Sequence, residues 1–288
     1  MNILVSGANG FIGRHVCHIL IDRGHKVIGL TRSKTAQHDQ AIQWIVQDIN
    51  LDQSAEKFKK HQIDAFIHLA WPDLENYRAS CHLTHHLVHH YSFLKSLLNI
   101  GILKLQIIGT CLEYGMQSGC LNETMQAKPN LPYALAKHTL HQKILATMQT
   151  HHKAATLQWV RLFYLYGEDQ RPSSFVPLLR KAIANQLTSF PMSWGQQIRD
   201  YLPVKTVAQS LSRLIEKTNS GTFNCSSNQP IRLLDLANKI IHDANSPIQL
   251  KLGVYPYPDY EPMEFWGNNT KLLSAIGETS LATFDDNI

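Results

Sequence analysis

Cysteine is scarce in this chain, and what there is does not pair. Five cysteines (Cys17, Cys81, Cys111, Cys120 and Cys225) stand far apart, odd in number and without a C-x-x-C spacing. That excludes a disulfide framework and suits free thiols in a reducing compartment, so a cytoplasmic protein is expected. No apolar run approaches the ~18 residues that a membrane span needs, and no membrane partner is expected. The first residues lack the basic segment of an export signal, and Ser6 and Asn9 break the apolar stretch early. Lysine and arginine are scattered. A formal charge of +5 without a long basic run gives no nucleic-acid surface, though it suits an anionic substrate. Charged residues make up only 17% against 44% hydrophobic, too apolar a balance for disorder. There is no internal repeat and no low-complexity linker.

Histidine, by contrast, is plentiful: sixteen residues, five of them in HLTHHLVHH at 82–90. His82/His86 and His85/His89 are i,i+4 pairs, a spacing that can hold a metal. The H-E-x-x-H glutamate is missing, and no neighbouring Cys or Asp stands out to complete a site. The reading is therefore a solvated or interface helix face with no metal.

Short apolar runs alternate with longer amphipathic ones. Strands are expected at 2–6, 26–31, 43–47, 64–70, 103–109 and 156–163. Helices are expected at 11–24, from the His-rich segment to Asn99, and at 133–152, with Gly24 as a stop signal. Strand and helix alternating in this rhythm predict an α/β fold, a Rossmann-type doubly wound parallel sheet. After about residue 166 proline, glycine and aromatics take over. The expected division is a dinucleotide-binding domain over 1–165 with a returning segment near 199–227. A small substrate-binding lobe is expected over 166–198 and 228–288, at the carboxyl edge where such sheets bind ligands.

The chain opens MNILVSGANGFIGRHV. Gly7, Gly10 and Gly13 end the first strand and open the first helix. A tight turn, close backbone approach to a pyrophosphate and free N–H groups at a helix start all favour residues without Cβ there. A nucleotide cradle is the expectation. After the second strand, NAD-binding folds place a carboxylate for the ribose 2′-hydroxyl, whereas NADP-binding ones often place Arg. Here Thr31, Arg32, Ser33 and Lys34 follow. Arg32, helped by Arg14, therefore favours NADP(H), with NAD(H) the alternative.

Tyr133 and Lys137 in PYALAK share one helix face. Positive charge beside a phenol lowers its pKa, so Tyr133 is expected to exchange a proton near neutral pH. Thr110, ending the fifth strand in GTCLEYG, supplies a hydroxyl for the same substrate oxygen.

These residues together resemble the extended short-chain dehydrogenase/reductase family, in particular its nucleotide-sugar epimerases, dehydratases and reductases, over nearly the whole chain. SGANGFIG matches its G-x-x-G-x-x-G, which puts Phe11 and Ile12 beside the cofactor. Asp48 and Ile49 in QDI match the acidic–hydrophobic pair that flanks the adenine. HLAW, with Leu69, Ala70 and Trp71, matches H-L-A-A. Thr110, Tyr133 and Lys137 match the catalytic set, with Lys137 also on the nicotinamide ribose. RLFYLYG matches R-x-x-N-x-Y-G, with Tyr164 at the Asn. RDYLPV matches R-D-F/Y-x-x-V, whose Arg holds the substrate diphosphate, a role that falls on Arg199. GTFNCSS matches G-x-Y-N-x-G.

The departures also inform. Cys111 and Leu112 replace the Asp-Glu of the 4,6-dehydratases, which argues against dehydration; Cys111 is read as a buried filler. The resemblance implies an NADPH-dependent reduction of the 4-keto group of a dTDP- or CDP-linked 4-keto-6-deoxyhexose. Trp71, Thr110, Tyr133, Tyr164 and Arg199 would touch the substrate. A nucleotide-sugar epimerase is the alternative, and a non-catalytic dinucleotide sensor a remoter one. The helices at 82–99 and from Tyr133 are those that relatives pair into a homodimer.

Overall fold

The computed structural model describes residues 1–32 and 39–282. Ser33 and Lys34 lie outside them. β1 (Asn2–Ser6) leads through the glycine turn into α1 (Phe11–Asp22), β2 (Lys26–Thr31) and β3 (Gln43–Val46). β4 (Ala65–His68), a π-helical turn (His82–His86), α2 (Leu87–Asn99) and β5 (Lys104–Thr110) follow. Then come β6 (Gly119–Leu121), α3 (Pro132–His151), β7 (Thr156–Leu162) and β8 (Tyr164–Tyr166). The later chain gives α4 (Phe175–Ala184), β9 (Ser189–Pro191), β10 (Ile198–Pro203), α5 (Val204–Leu214) and β11 (Gly221–Cys225). β12 (Pro230–Arg232), α6 (Leu233–Asp243), β13 (Gln249–Lys251), β14 (Phe265–Gly267) and α7 (Thr270–Ile276) complete it.

Seven strands form one parallel sheet in the order β11-β7-β5-β4-β1-β2-β3. Both its faces are covered, which is why its strands read as near-continuous apolar runs. Val16, Cys17 and Leu20 of α1 share one core with Val207 and Leu211 of α5. Phe93 and Leu94 of α2 share the other with Leu140 and Ile144 of α3. β11 is an edge strand of this sheet beside β7. A third core gathers Val176 and Leu179 of α4 with Leu236 and Ile240 of α6, near the small β13–β9 pair.

Two element readings shift. Strand 156–163 is broken by Phe163, with β8 leaving to pair with β10. The helix expected from His82 starts as a π-helical turn that puts His82, His86 and His90 inward, all buried. The face of His82, His86 and His90 is therefore not a solvated one, while His85 stays exposed on the other side.

Strand order reverses between β2-β1 and β4. The loops after β1 and β4 part there and leave the crevice that such sheets use for ligands. Among the described residues, no helix is long and apolar enough to cross a membrane.

Candidate active site

The glycine turn is built for close approach. Gly7 has φ +72°, and a Cβ there would lie 2.9 Å from the Ala70 nitrogen. At Gly13 a Cβ would lie 2.0 Å from the Gly7 carbonyl, so α1 presses directly on the turn. Gly10 occupies the N-cap of α1 without a side-chain cap, and the first helical turn carries no acidic residue. The leading N–H groups and the positive end of the helix dipole therefore stay available to an anion.

A cleft of about 630 Å³ opens in front of this turn. Its wall includes Gly7, Gly10, Phe11, Ile12 and Gly13 from the turn and α1, and Arg32 beyond β2. Asp48 and Ile49 line it after β3, and Leu69, Ala70 and Trp71 after β4. A groove of this size, with bare amides at one end and apolar walls, fits a dinucleotide. Arg14 is not part of the wall. Its guanidinium bonds Asp169 at 2.9 Å and the Asn9 carbonyl at 3.0 Å, because the side chain leaves α1 toward the loop after β8.

Thr110, Tyr133 and Lys137 come together at the end of β5 and the start of α3. The Thr110 hydroxyl accepts the Leu112 N–H at 3.2 Å, and the Glu113 carboxylate accepts the Thr110 N–H at 3.0 Å. This capping box fixes the hydroxyl oxygen and leaves its proton for donation. Pro132 starts α3, and the Tyr133 N–H bonds the Tyr77 carbonyl at 3.1 Å. The Tyr133 ring stacks on Tyr77 at 5.1 Å and meets the Trp71 edge at 6.1 Å. Lys137 Nζ donates to the Ile108 carbonyl at 2.8 Å and sits 4.1 Å over the Trp71 ring. The trio does not form the cleft wall itself; it lies against Trp71 and Tyr77, which do.

The expected depression of the Tyr133 pKa is not found. Burial pushes it up, Tyr77 and Glu113 push the same way, and a hydrogen bond with Thr110 offsets only part. Burial also pushes Lys137 down to about 7, against the pull of Glu113. Desolvation is thus the leading cause of both shifts, upward for the phenol and downward for the lysine. The Cys111 thiol is buried and pushed up by that burial, an inert filler.

Arg199 and Tyr164 also meet, but around a partner the sequence did not reveal. Arg199 Nη2 bonds Glu261 Oε1 at 2.7 Å, and the Tyr164 hydroxyl donates to Glu261 Oε2. Arg199 Nη1 is held by the Ile198 and Met263 carbonyls at 2.8 and 3.0 Å. The guanidinium also lies 4.6 Å over Phe265 and is buried. Arg199 is therefore an internally bonded cation paired with Glu261, where the motif implied a free diphosphate clamp. Glu261 stands in the PYPDYEP tail, and no spacing rule places it beside residue 199.

Sequence reading also missed a buried chain beside the cleft. Ser6 Oγ lies 2.6 Å from His68 Nδ1, and His68 Nε2 lies 2.7 Å from His90 Nδ1. His82 Nδ1 accepts the Trp71 indole N–H at 3.2 Å. Histidines thus back the Trp71 wall. The signal was present in H-L-A-W and in the i,i+4,i+8 spacing of His82, His86 and His90.

Comparison with known proteins agrees with this fold. The model of the NAD dependent epimerase/dehydratase family matches residues 3–226. The chain is 30% identical over 270 residues to dTDP-6-deoxy-L-talose 4-dehydrogenase (NAD(+)) of Aggregatibacter actinomycetemcomitans, covering 93% of this chain and 99% of that protein. It is 24% identical to CDP-abequose synthase of Salmonella muenchen, covering 96% and 91% of the two chains. In fold it resembles UDP-glucuronic acid 4-epimerase from Bacillus cereus, solved with UDP-glucuronic acid and NAD. That likeness has a TM-score of 0.84 at 22% identity and covers 98% and 95% of the two chains. The chain belongs to the NAD-dependent epimerase/dehydratase family. It is an oxidoreductase of the extended short-chain dehydrogenase/reductase type.

Proposed function

We propose that the chain reduces the 4-keto group of a nucleotide-linked 4-keto-6-deoxyhexose, the dTDP- or CDP-sugar class, with NADPH as reductant. The observation that carries this reading is the buried Tyr133 hydroxyl beside Thr110, one helical turn from Lys137 on α3. Two relatives, a 4-dehydrogenase of a dTDP-6-deoxyhexose and a CDP-abequose synthase, carry names of the same chemical class.

The glycine turn and the start of α1 would hold the pyrophosphate, Asp48 and Ile49 the adenine side, and Lys137 the nicotinamide ribose. When bound, the dinucleotide supplies the hydride that C4 receives. The chain does the rest. Thr110 Oγ1 donates a hydrogen bond to the carbonyl oxygen and stabilises negative charge as it develops. Tyr133 Oη gives that oxygen its proton, so a ketone leaves as an alcohol. Lys137, which lies over Trp71, would stabilise the phenolate left behind in the fraction of molecules where it carries its proton.

Arg32 in the cleft wall, with Thr31 where a carboxylate would repel a 2′-phosphate, supports NADPH over NADH. With Arg199 paired to Glu261, Arg171, which lines the cleft and has the exposed Glu75 at 3.6 Å, would be the cation for a substrate diphosphate. The residues at 166–198 and 228–288 would form the lobe that closes over the sugar, with Trp71 and Tyr164 on its ring. Two copies would pair through α2 and α3, where Val88 and Leu135 are exposed, a homodimer that sedimentation can weigh.

Likeness to 4-epimerases favours one second reading, a nucleotide-sugar epimerase on the same residues. Purified protein mixed with dTDP-4-keto-6-deoxyglucose and NADPH, with NADH in parallel, decides between them. Stoichiometric loss of NADPH absorbance, faster than of NADH, is the expected result. A changed sugar by NMR without loss of reduced cofactor would establish the epimerase instead.

A further inference from the structure

The histidine-rich turn carries donors that this reaction leaves unused. Asp73, in the loop after β4, meets Cys81, His82 and His86 there. Ligand atoms of Cys81, His82 and His86 lie within 4.8 Å of one another. Asp73 Oδ2 lies 3.6 Å from Cys81 Sγ and 2.8 Å from His86 Nε2. One carboxylate oxygen therefore faces both a thiol and an imidazole. The other His86 nitrogen, Nδ1, lies 3.2 Å from Asn50 Oδ1. Both ring nitrogens face oxygen acceptors, and a neutral imidazole has one proton for the two.

A divalent cation resolves that mismatch. His86 keeps Nδ1–H on Asn50 and offers its Nε2 lone pair, the arrangement that orients a ligating histidine. One thiolate, imidazole nitrogen and one carboxylate are a donor set for zinc. The site also sits on a π-helical turn, a rare element that recurs at functional positions.

We propose that Asp73, Cys81, His82 and His86 bind a zinc-class divalent cation beside the candidate active site. Bonds form from the metal to the Asp73 carboxylate, the Cys81 sulfur, His86 Nε2 and one nitrogen of His82. The Cys81 proton leaves to solvent, as does the second His86 proton where that ring is charged; nothing is oxidised or reduced. His82 now bonds Trp71 through Nδ1 and the Asn76 carbonyl, 2.9 Å away, through Nε2, so binding releases it from one of them. Its ring is 5.4 Å from that of Tyr133, which puts the metal one side chain from the proposed proton donor.

Cobalt(II) reports such a site directly, because a thiolate ligand adds a near-ultraviolet charge-transfer band. Chelator-treated full-length protein titrated with cobalt should take up one ion per chain, show that band, and lose it on adding zinc. Cys81→Ser should abolish the band, and His86→Gln should weaken cobalt binding by about tenfold or more. The outward pair His85/His89, with rings 6.3 Å apart, and the exposed Cys120 are the adventitious competitors. His85→Ala/His89→Ala and Cys120→Ser should leave the band intact, with circular dichroism melts showing that every variant folds. No cobalt uptake, a band that survives Cys81→Ser, or a band lost in His85→Ala/His89→Ala would overturn the proposal. The readout needs no turnover, so its failure is distinct from failure of the reductase reading.

Discussion

Tyr133 is buried and protonated, and in that state it can only give a proton. Tyr133→Phe keeps the ring on Tyr77 and removes that proton. Turnover should fall by about 100- to 10,000-fold, with dinucleotide affinity unchanged by fluorescence titration. Arg32 is exposed at the cleft and has no side-chain hydrogen bond or ion pair among the described residues. Arg32→Ala should weaken NADPH binding by about 10- to 100-fold and leave NADH binding alone, as expected for one charge-assisted contact. Equal loss for both cofactors would remove Arg32 as the 2′-phosphate partner. Glu261 is a different case. With its partner gone, Arg199 is a buried charge without a counter-ion. Glu261→Ala should cost about 3–5 kcal/mol in urea unfolding. A cost under about 1 kcal/mol, the range of an exposed pair, would mean that solvent reaches Arg199 and that the clamp reading returns.

At the scale of elements, the glycine turn and α1 work as one piece. The Gly13 backbone touches the Gly7 carbonyl, so a methyl group there must push helix from turn. Gly13→Ala should weaken dinucleotide binding by about a hundredfold, near 3 kcal/mol, in a protein that still folds. Wild-type affinity in that variant would show that the turn can move freely. These elements were legible because their causes are local: apolar runs, a glycine stop with φ +81° at Gly24, proline at the start of α3. The π-helical turn at His82–His86 was not legible. Its sequence has helical spacing, and only packing against Trp71 and the Asp73 loop sets the extra residue per turn.

For the whole molecule, burial of ionisable groups sets the response to pH. His68, His90 and His141 are held neutral, burial pushing each pKa down, His141 to about 3. As pH falls below about 6.5 the unfolded chain gains protons that the folded one refuses, so stability falls with acid. Lys137 acts on the alkaline side. Folded, it loses its proton near 7; unfolded, it keeps it to its ordinary 10.5. Between those values the unfolded chain binds more protons, so this residue makes stability rise with pH. Lys137→Met should flatten the rise in melting temperature between pH 7 and about 8, below the unfolded cysteine pKa. An unchanged slope would mean that Lys137 stays charged inside.

The sequence by itself determined the doubly wound sheet, the cradle at Gly7, Gly10 and Gly13, and the grouping of Thr110, Tyr133 and Lys137. Each is written in short-range signals: periodicity, residues without Cβ, a four-residue spacing on one helix. Tertiary structure alone decided what those residues face. It set Glu261 against Arg199 from 62 positions away, turning an expected clamp into an internal ion pair. It brought the Asp73 carboxylate onto His86 and onto Cys81, the cysteine that stands next to His82 in the sequence. It raised the Tyr133 pKa, because desolvation acts through everything packed around the phenol.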